Sequence, residues 1–506
     1  MSTSAFRFRI DYCGRECRFS KADLRRSYAK SCRASGGWPT GANSDRDRSL
    51  LLCPLPSQPG CLVVIPALLQ ATLDLLCEVE AAARPADAVT SAFFRARSHL
   101  EDRDRGAVLE QLYALLRHRA RLGWWLARQN CVDTPRNRLL AWLILGEGKT
   151  PDQIKRLFEG SKFTPAALTD PENELLVKLR DGTIAHPDMP EAVRLECPPW
   201  AVAPLKRRFG EVFGAEMAAT LAPPPLDLRV NPIKATRDAT LRSLQGMGLR
   251  AESMRLSPHG IRLQEHLSLA RLPGLKTGDL EIQDEGSQLV ALLVDAKPGE
   301  RVVDFCAGAG GKTLAIAAQM KNKGHVVACD VNETRLKRCA ERHRRAGLHN
   351  VETRVLASET DRWVKRHKGG FDRVLVDAPC SGTGTWRRNP DARWRAPELG
   401  LENLVALQAR ILASAARLVK PGGRLVYATC SILCEENEAQ VAIFLASNPG
   451  FRLAPVSEAA PHLARATQSA HLSLTPARHG TDGFFAAVMQ RDALPAPGHA
   501  DPMHTT

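Results

Sequence analysis

An aspartate and two cysteines stand at the ends of two apolar runs. Phe371 to Trp386 reads FDRVLVDAPCSGTGTW, and Arg424 to Cys434 reads RLVYATCSILC. Both runs are short, apolar and rich in β-branched residues, the pattern of a buried strand. Each breaks at a turn carrying a thiol: Pro379-Cys380 in the first, Thr429-Cys430 in the second. In an open α/β sheet, chemistry collects outside the carboxyl ends of the strands. Asp377, Cys380 and Cys430 are therefore expected at one rim. Such a trio suits a metal site, a redox pair or a nucleophilic thiol. No Cys or His pair lies near enough in sequence to complete a metal set. Thiols on separate strands, rather than in a CxxC spacing, make a weak case for a redox pair.

A second signal supplies a ligand for that rim. Residues 301–306, RVVDFC, read as a strand and run into Cys306-Ala307-Gly308-Ala309-Gly310-Gly311-Lys312-Thr313 before a helix. A glycine turn at that place lets the backbone approach a nucleotide-like molecule. A phosphate-binding loop wants glycine six positions before its lysine, where this chain has Cys306. The dinucleotide fingerprint fails because Gly308, Gly310 and Gly311 are too closely spaced. A short glycine turn after one strand and an acid ending the next, here Asp330 in HVVACD, is the arrangement of S-adenosylmethionine enzymes. Asp330 is placed to accept from ribose hydroxyls. The competing role for it is a cap for the helix from Asn332 onward. Arg335 on that helix joins the expected cofactor set.

DAPCSGTGTWRRNPDARW followed by YATCSILCEENE resembles the RsmB/NOP family of RNA 5-methylcytosine methyltransferases. The likeness runs over roughly the last 300 residues, with the glycine loop, the second-strand acid, PCSGTG and TCS in order. The helical region before it resembles, more weakly, the NusB-like RNA-binding domain of bacterial members. The resemblance implies a class I methyltransferase domain with a Rossmann-like doubly wound sheet, preceded by a small α+β module and an all-α NusB-like domain. It implies S-adenosylmethionine as methyl donor and ribosomal RNA as substrate. It also gives the thiols unequal tasks: Cys430 is the nucleophile that adds to carbon 6 of cytosine, and Cys380 helps release the product. Asp377 holds or protonates the ring at nitrogen 3, close to the cofactor. Lys312 steadies the substrate or that carboxylate. The chemistry needs these groups, because carbon 5 of cytosine becomes nucleophilic only once a thiolate has added at carbon 6. Cys434 is expected to be structural.

One departure concerns the adenine. Many members place an acid directly after the third strand. This chain has Leu356-Ala357-Ser358-Glu359-Thr360 there, so Ser358 or Glu359 is the expected substitute. After PCSGTG, Arg387, Arg388, Arg393 and Trp394 are candidates to grip an RNA backbone and stack a base. A DNA cytosine methyltransferase would make Cys380 the attacker, but the candidate for its Glu-Asn-Val motif here, Glu436-Asn437-Glu438, instead follows the second cysteine on a helix. An amino-group enzyme would need a polar-Pro-Pro-aromatic loop where APCS stands. A transfer-RNA cytosine-5 methyltransferase and a non-catalytic NusB-like RNA-binding or assembly factor are the remaining alternatives.

These elements must be carried by a chain of 506 residues, too long for one core. Its 44% apolar and 25% charged residues are those of a globular protein, and its net charge of +15 suits a polyanionic partner. None of the 14 cysteines forms a CxxC pair, so reduced thiols in the cytoplasm are expected. No apolar run is long enough to span a membrane and no charged-then-apolar signal opens the chain. Residues 1–62 read as a disordered leader and 63–182 as the all-α domain. Within the latter, Asp104-Arg105-Gly106 suggests a helix start, and Arg117, Arg119, Arg121 and Arg128 form a basic face for RNA. A Pro-rich linker leads to an α+β module over 195–290, with a strand at Leu226 to Val230. The catalytic domain covers 291–492 and a frayed tail 493–506. A monomer acting on RNA, without metal or membrane, is the expectation.

Overall fold

The computed structural model describes residues 65–264, 269–395, 400–467 and 469–493. The expected leader, and the tail beyond residue 493, lie outside the described residues.

Residues 66–194 are helical, from Pro66–Ala81 to Glu191–Arg194. Leucines recurring at three-and-four spacing put Leu69, Leu76, Leu112, Leu122 and Leu139 in one apolar core with Phe93. The helix expected to start near Asp104-Arg105-Gly106 begins earlier, as Asp102–Arg117. Glu101 and Asp104 form a reciprocal capping box there, which fixes the start and leaves Gly106 inside the first turns.

The expected basic face is also corrected. The four arginines lie on two helices, Asp102–Arg117 and Arg119–Arg128, and are largely engaged within the protein. Arg117 donates to the Arg387 carbonyl at 3.0 Å, Arg121 to the Arg194 carbonyl at 2.5 Å, and Arg128 pairs with Asp188 at 3.0 Å. Arg119 lies near the Trp394 ring.

The α+β module holds four antiparallel strands: β1 (Leu226–Val230), β2 (Ala251–Ser253), β3 (Gly260–Leu263) and β4 (Leu280–Ile282), in the order β2-β3-β1-β4. β1 has the bounds expected from its apolar alternation. Leu228, Val230, Ile261 and Leu263 form its core.

The C-terminal sheet has eight strands: β5 (Arg301–Asp304), β6 (His325–Asp330), β7 (Val351–Val355), β8 (Phe371–Asp377), β9 (Val419–Thr429), β10 (Phe451–Ala454), β11 (Leu472–Leu474) and β12 (Phe484–Arg491). The order is β10-β12-β9-β8-β5-β6-β7, with β11 beside β12. β5 to β9 are mutually parallel, so their carboxyl ends share one rim. The last strands pair antiparallel through β12. Apolar residues cover both faces: Leu289, Val302, Ile316 and Val326 on one, Val303, Val327, Val374 and Tyr427 on the other. That is the doubly wound arrangement, in which parallel strands are buried on both sides.

The residues expected to grip RNA after PCSGTG join the parts of the chain instead. Arg393 is 1% exposed and donates to the Glu196 carbonyl at 3.0 Å and the Thr220 hydroxyl at 2.5 Å. Trp394 donates its indole N–H to the Leu116 carbonyl at 3.1 Å. Arg387 and Arg388 pair with Asp482, at 2.5 and 2.8 Å, and approach Asp284. Their acceptors lie about a hundred residues or more away in sequence, so a local reading sees only the positive charge. Replacing Arg393 by alanine strands buried oxygens at Glu196 and Thr220. Arg393→Ala is expected to lower stability by about 3 kcal/mol, measured by urea unfolding.

Candidate active site

The rim is built from strand ends. β8 ends at Asp377 and turns through Pro379 to Cys380; β9, parallel beside it, ends at Thr429 and turns to Cys430. The two sulfurs lie 3.3 Å apart. Lys312, on the helix Gly311–Gln319, reaches across from the end of β5 and places its ammonium 2.6 Å from Asp377 Oδ2. The expected cluster of Asp377, Cys380, Cys430 and Lys312 is thus assembled from three strand ends.

Electrostatics separate the members. Burial opposes the charge on Lys312, but the Asp377 carboxylate outweighs it and holds the lysine above its ordinary range, with Cys430 adding to the same effect. Cys380 hydrogen-bonds with Cys430, and that bond, burial and the nearby Glu436 carboxylate push its thiol well above the ordinary value. Cys380 is therefore held as a thiol, and a charged ammonium lies near Cys430.

The two thiol loops are fastened together by Glu436, which the sequence offers only within the displaced Glu436-Asn437-Glu438 match and without a role. Its carboxylate is fully buried. One oxygen accepts from the Ser381 N–H at 2.7 Å and from Gln408 Nε2 at 2.9 Å. The other accepts from the hydroxyls of Ser381 and Ser431. Thr383 adds a second tie, bonding Ser431 Oγ at 3.0 Å and accepting from the Ile432 N–H at 3.0 Å. Gly384 completes the packing: its N–H donates to the Cys430 carbonyl at 2.9 Å, and a Cβ there would lie 2.2 Å from the Gly483 carbonyl oxygen. The signal in sequence was the polar density of PCSGT and TCS, but the acid that unites them follows on the far side of a turn.

The glycine loop occupies the neighbouring end of β5. The Gly308 N–H donates to Asp330 Oδ2 at 2.8 Å, and Asp330 Oδ1 accepts from the Asn332 N–H at 2.7 Å. Asp330 therefore ties the loop to the end of β6. The cap of the next helix is Asn332, which accepts from the Arg335 N–H at 3.0 Å. Gly310 sits at φ +82° against Cys339, where a side chain is excluded by both strain and contact. The Ala307 N–H bonds the Cys329 carbonyl at 2.8 Å, and the Cys306 thiol is pushed far up by burial and by Asp304. The Arg335 side chain is exposed on the helix Glu333–Arg345.

At the end of β7, Ser358 accepts from the Thr360 N–H at 3.2 Å, while Glu359 is drawn away into an ion pair with Arg410 at 2.9 Å. The acid that organises this turn is Asp361, accepting from the N–H groups of Ala357 and Trp363 at 2.8 Å each. It lies beyond the window a strand-end rule inspects.

The site fits the nucleotide-like methyl donor that the loop suggests. The loop has the left-handed glycines such a cradle needs, at Gly308 and Gly310. Asp330 lines the same rim, and the buried Asp304 Oδ1 has no hydrogen-bond partner. Among the described residues no group of His, Cys, Asp and Glu is arranged to hold a metal ion, and no helix is long and apolar enough to cross a membrane.

Asp304 also carries a pH dependence. Burial is the main cause that lifts its carboxyl from 3.8 to about 7; Thr313 pulls it down with a hydrogen bond and Asp377 pushes it up. The folded state then holds a proton that the unfolded chain releases above pH 3.8. Stability contributed by this group is present at low pH and falls as pH rises toward 7, where the folded carboxyl itself ionises. Asp304→Asn is expected to flatten the decline of Tm with pH in melts from about pH 4 to 7.

Comparison with known proteins agrees with this geometry. Residues 291–490 match the family model described as 16S rRNA methyltransferase RsmB/F, and residues 197–270 match the RsmF/B ferredoxin-like domain. The ribosomal RNA small subunit methyltransferase B of Proteus mirabilis is 30% identical over 415 residues, covering 78% of this chain and 92% of the relative. The probable ribosomal RNA small subunit methyltransferase B of Synechocystis is 35% identical over 297 residues, 58% of this chain and 66% of that one. The crystal structure of PH0851 superposes with a TM-score of 0.73 at 26% identity, over 85% of this chain and all of its own. The fold is that of the S-adenosylmethionine-dependent methyltransferases, with the glycine loop and Asp330 as the elements suited to that donor. Near-complete alignment with the Proteus relative and the two adjoining family matches place this chain in the RsmB/F family of methyltransferases.

Proposed function

We propose that the protein methylates carbon 5 of a cytosine in small-subunit ribosomal RNA, in the cytoplasm and as a monomer. The observation that carries this reading is the pair of thiols 3.3 Å apart beside the Lys312–Asp377 ion pair. The printed names of the relatives support ribosomal RNA as substrate.

In this reading Cys430 forms a bond from sulfur to carbon 6 of an unpaired or flipped cytosine, and carbon 5 gains the electron density it lacked. Asp377 holds nitrogen 3 and stabilises the added ring, with Lys312 fixing the carboxylate in place. Bound S-adenosylmethionine supplies an electrophilic methyl group to that carbon. Loss of the carbon 5 proton then breaks the sulfur–carbon bond and restores the aromatic ring. Cys380, a thiol 3.3 Å from Cys430, gives its proton to the departing sulfur and takes the carbon 5 proton in exchange, so both cysteines end as thiols. Cys306, Ala307, Gly308, Ala309, Gly310, Gly311, Asp330, Arg335 and Ser358 belong to the donor's side of the site. The helical domain and the α+β module are the surfaces that select the RNA, consistent with a net charge of +15.

Methyl-tritiated S-adenosylmethionine and the purified protein, given unmethylated small-subunit RNA together with transfer RNA, test this. Label entering the RNA at a cytosine that bisulfite treatment then leaves unconverted is the expected result. Label confined to transfer RNA, or to a base other than cytosine, overturns it.

A further inference from the structure

The α+β module grips the cofactor loop from behind. In β1 and β4, Arg229 and Glu281 are direct cross-strand neighbours and therefore share one face of the sheet. Both side chains are buried against the C-terminal domain, at 6% and 5% exposure. Arg229 donates to the Gly311 carbonyl at 2.7 Å and to Gln283. Glu281 accepts from Arg342 at 2.8 Å and from Arg345 at 2.7 Å. Arg342 in turn donates to the Ala309 carbonyl at 2.6 Å. The same module also holds the end of the helix that follows Asp330. Asn231 donates to the Ala346 carbonyl, and Lys234 to the Arg345 carbonyl, each at 2.8 Å.

A loop that presents its N–H groups to a ligand turns carbonyls away from it, and buried carbonyls need donors. Here two charged donors meet those of Ala309 and Gly311, one from the module itself and one steered by the module's carboxylate. Burial lowers the Arg229 guanidinium only to about 10, so it is charged at neutral pH. Charged donors make the stronger class of hydrogen bond and fix direction as well as distance.

We infer that Arg229, and Glu281 acting through Arg342, are positioning residues for S-adenosylmethionine, so that the module proposed to bind RNA is also a structural part of the donor site. None of the three side chains needs to touch the donor; each acts through the backbone of the glycine loop. The role of the module toward RNA rests on the proposed function, whereas the effect on the donor does not.

The test is calorimetric titration of the full chain with S-adenosylmethionine alone, followed by kinetics with RNA. Arg229→Met is expected to raise the Kd and the KM for S-adenosylmethionine about tenfold, the scale for loss of one charged hydrogen bond. Turnover at saturating donor and the KM for RNA should stay within about threefold of wild type. Arg229→Lys, which keeps a charged donor, should recover part of the affinity. Should Arg229→Met fail to fold, the partly exposed Arg342→Met carries the same expectation, because it removes the Ala309 bond from the other side. Unchanged donor affinity in a folded variant overturns the inference. So does a fall in turnover that saturating donor does not restore. Donor binding is measured without RNA, so an error in the RNA assignment leaves this result standing and is detected separately by the label experiment.

Discussion

Cys430→Ala is expected to abolish methyl transfer and Cys380→Ala to trap protein on RNA. The two sulfurs are 3.3 Å apart, so either could reach a cytosine held at the rim, and proximity alone does not divide their labour. Their surroundings do. Cys380 shares a hydrogen bond with its neighbour, is buried and faces the Glu436 carboxylate, and all three hold its proton. A thiolate is the attacking species, and the residue whose proton is held is the less suited to supply one. Loss of the Cys430 sulfur removes the bond-forming atom, and transfer should fall by about four orders of magnitude or more. Loss of the Cys380 sulfur leaves addition intact and slows release, so a slow-migrating band should persist on a denaturing gel. Single-turnover transfer and the gel read the two effects separately. A trapped band in Cys430→Ala and none in Cys380→Ala would reverse the assignment and favour the order of a DNA-type enzyme.

Glu436→Ala is expected to be the most damaging change outside the reacting groups. Four donors from three segments converge on this carboxylate, and none of them is a cation. Alanine leaves the Ser381 N–H and one of the two Gln408 amide hydrogens without an acceptor in a buried place, the other still bonding the Pro379 carbonyl at 2.9 Å. At 1–3 kcal/mol for each stranded group, a loss of about 3 kcal/mol in urea unfolding follows. The functional effect should be larger than the stability effect implies. Glu436 ties the Cys380 loop to the Cys430 loop, and a displacement of about 1 Å at a reacting atom can cost about a hundredfold in rate. Glu436→Gln keeps the shape, and the two serine hydroxyls can rotate to accept from its amide. It should therefore fold nearly as well as wild type and lose less activity than alanine. Equal activities for the alanine and wild-type proteins would show that the loops hold their spacing without it.

What could be read in the sequence depended on how local the cause was. The Asp377, Cys380 and Cys430 rim was legible because apolar β-branched runs ended abruptly in Pro-Cys and Thr-Cys, and parallel strands put their carboxyl ends together. β1 was legible from the apolar alternation of LDLRV, whereas the three-residue strands Ala251–Ser253 and Leu472–Leu474 carry too little pattern to stand out. The arginines after PCSGTG were misread because charge is local and its partner is not. Arg387 and Arg388 answer Asp284 and Asp482, and Arg393 answers carbonyls and a hydroxyl far back in the chain. Glu436 stayed hidden for a related reason. Its importance comes from four groups that the fold gathers around it, and nothing in CEENE separates it from its acidic neighbours. The start of the helix at Asp102 was displaced because the capping box uses Glu101 and Asp104 and not the glycine that follows.

The central claim is that Cys430 is the atom that bonds the base. Incubating Cys380→Ala with small-subunit RNA and S-adenosylmethionine, digesting both polymers and reading the peptides by mass spectrometry addresses it directly. The account predicts a methylated cytidine adduct on the peptide containing Cys430. An adduct on another cysteine, or methylated RNA formed by a Cys430→Ala protein with no adduct at any stage, would contradict it.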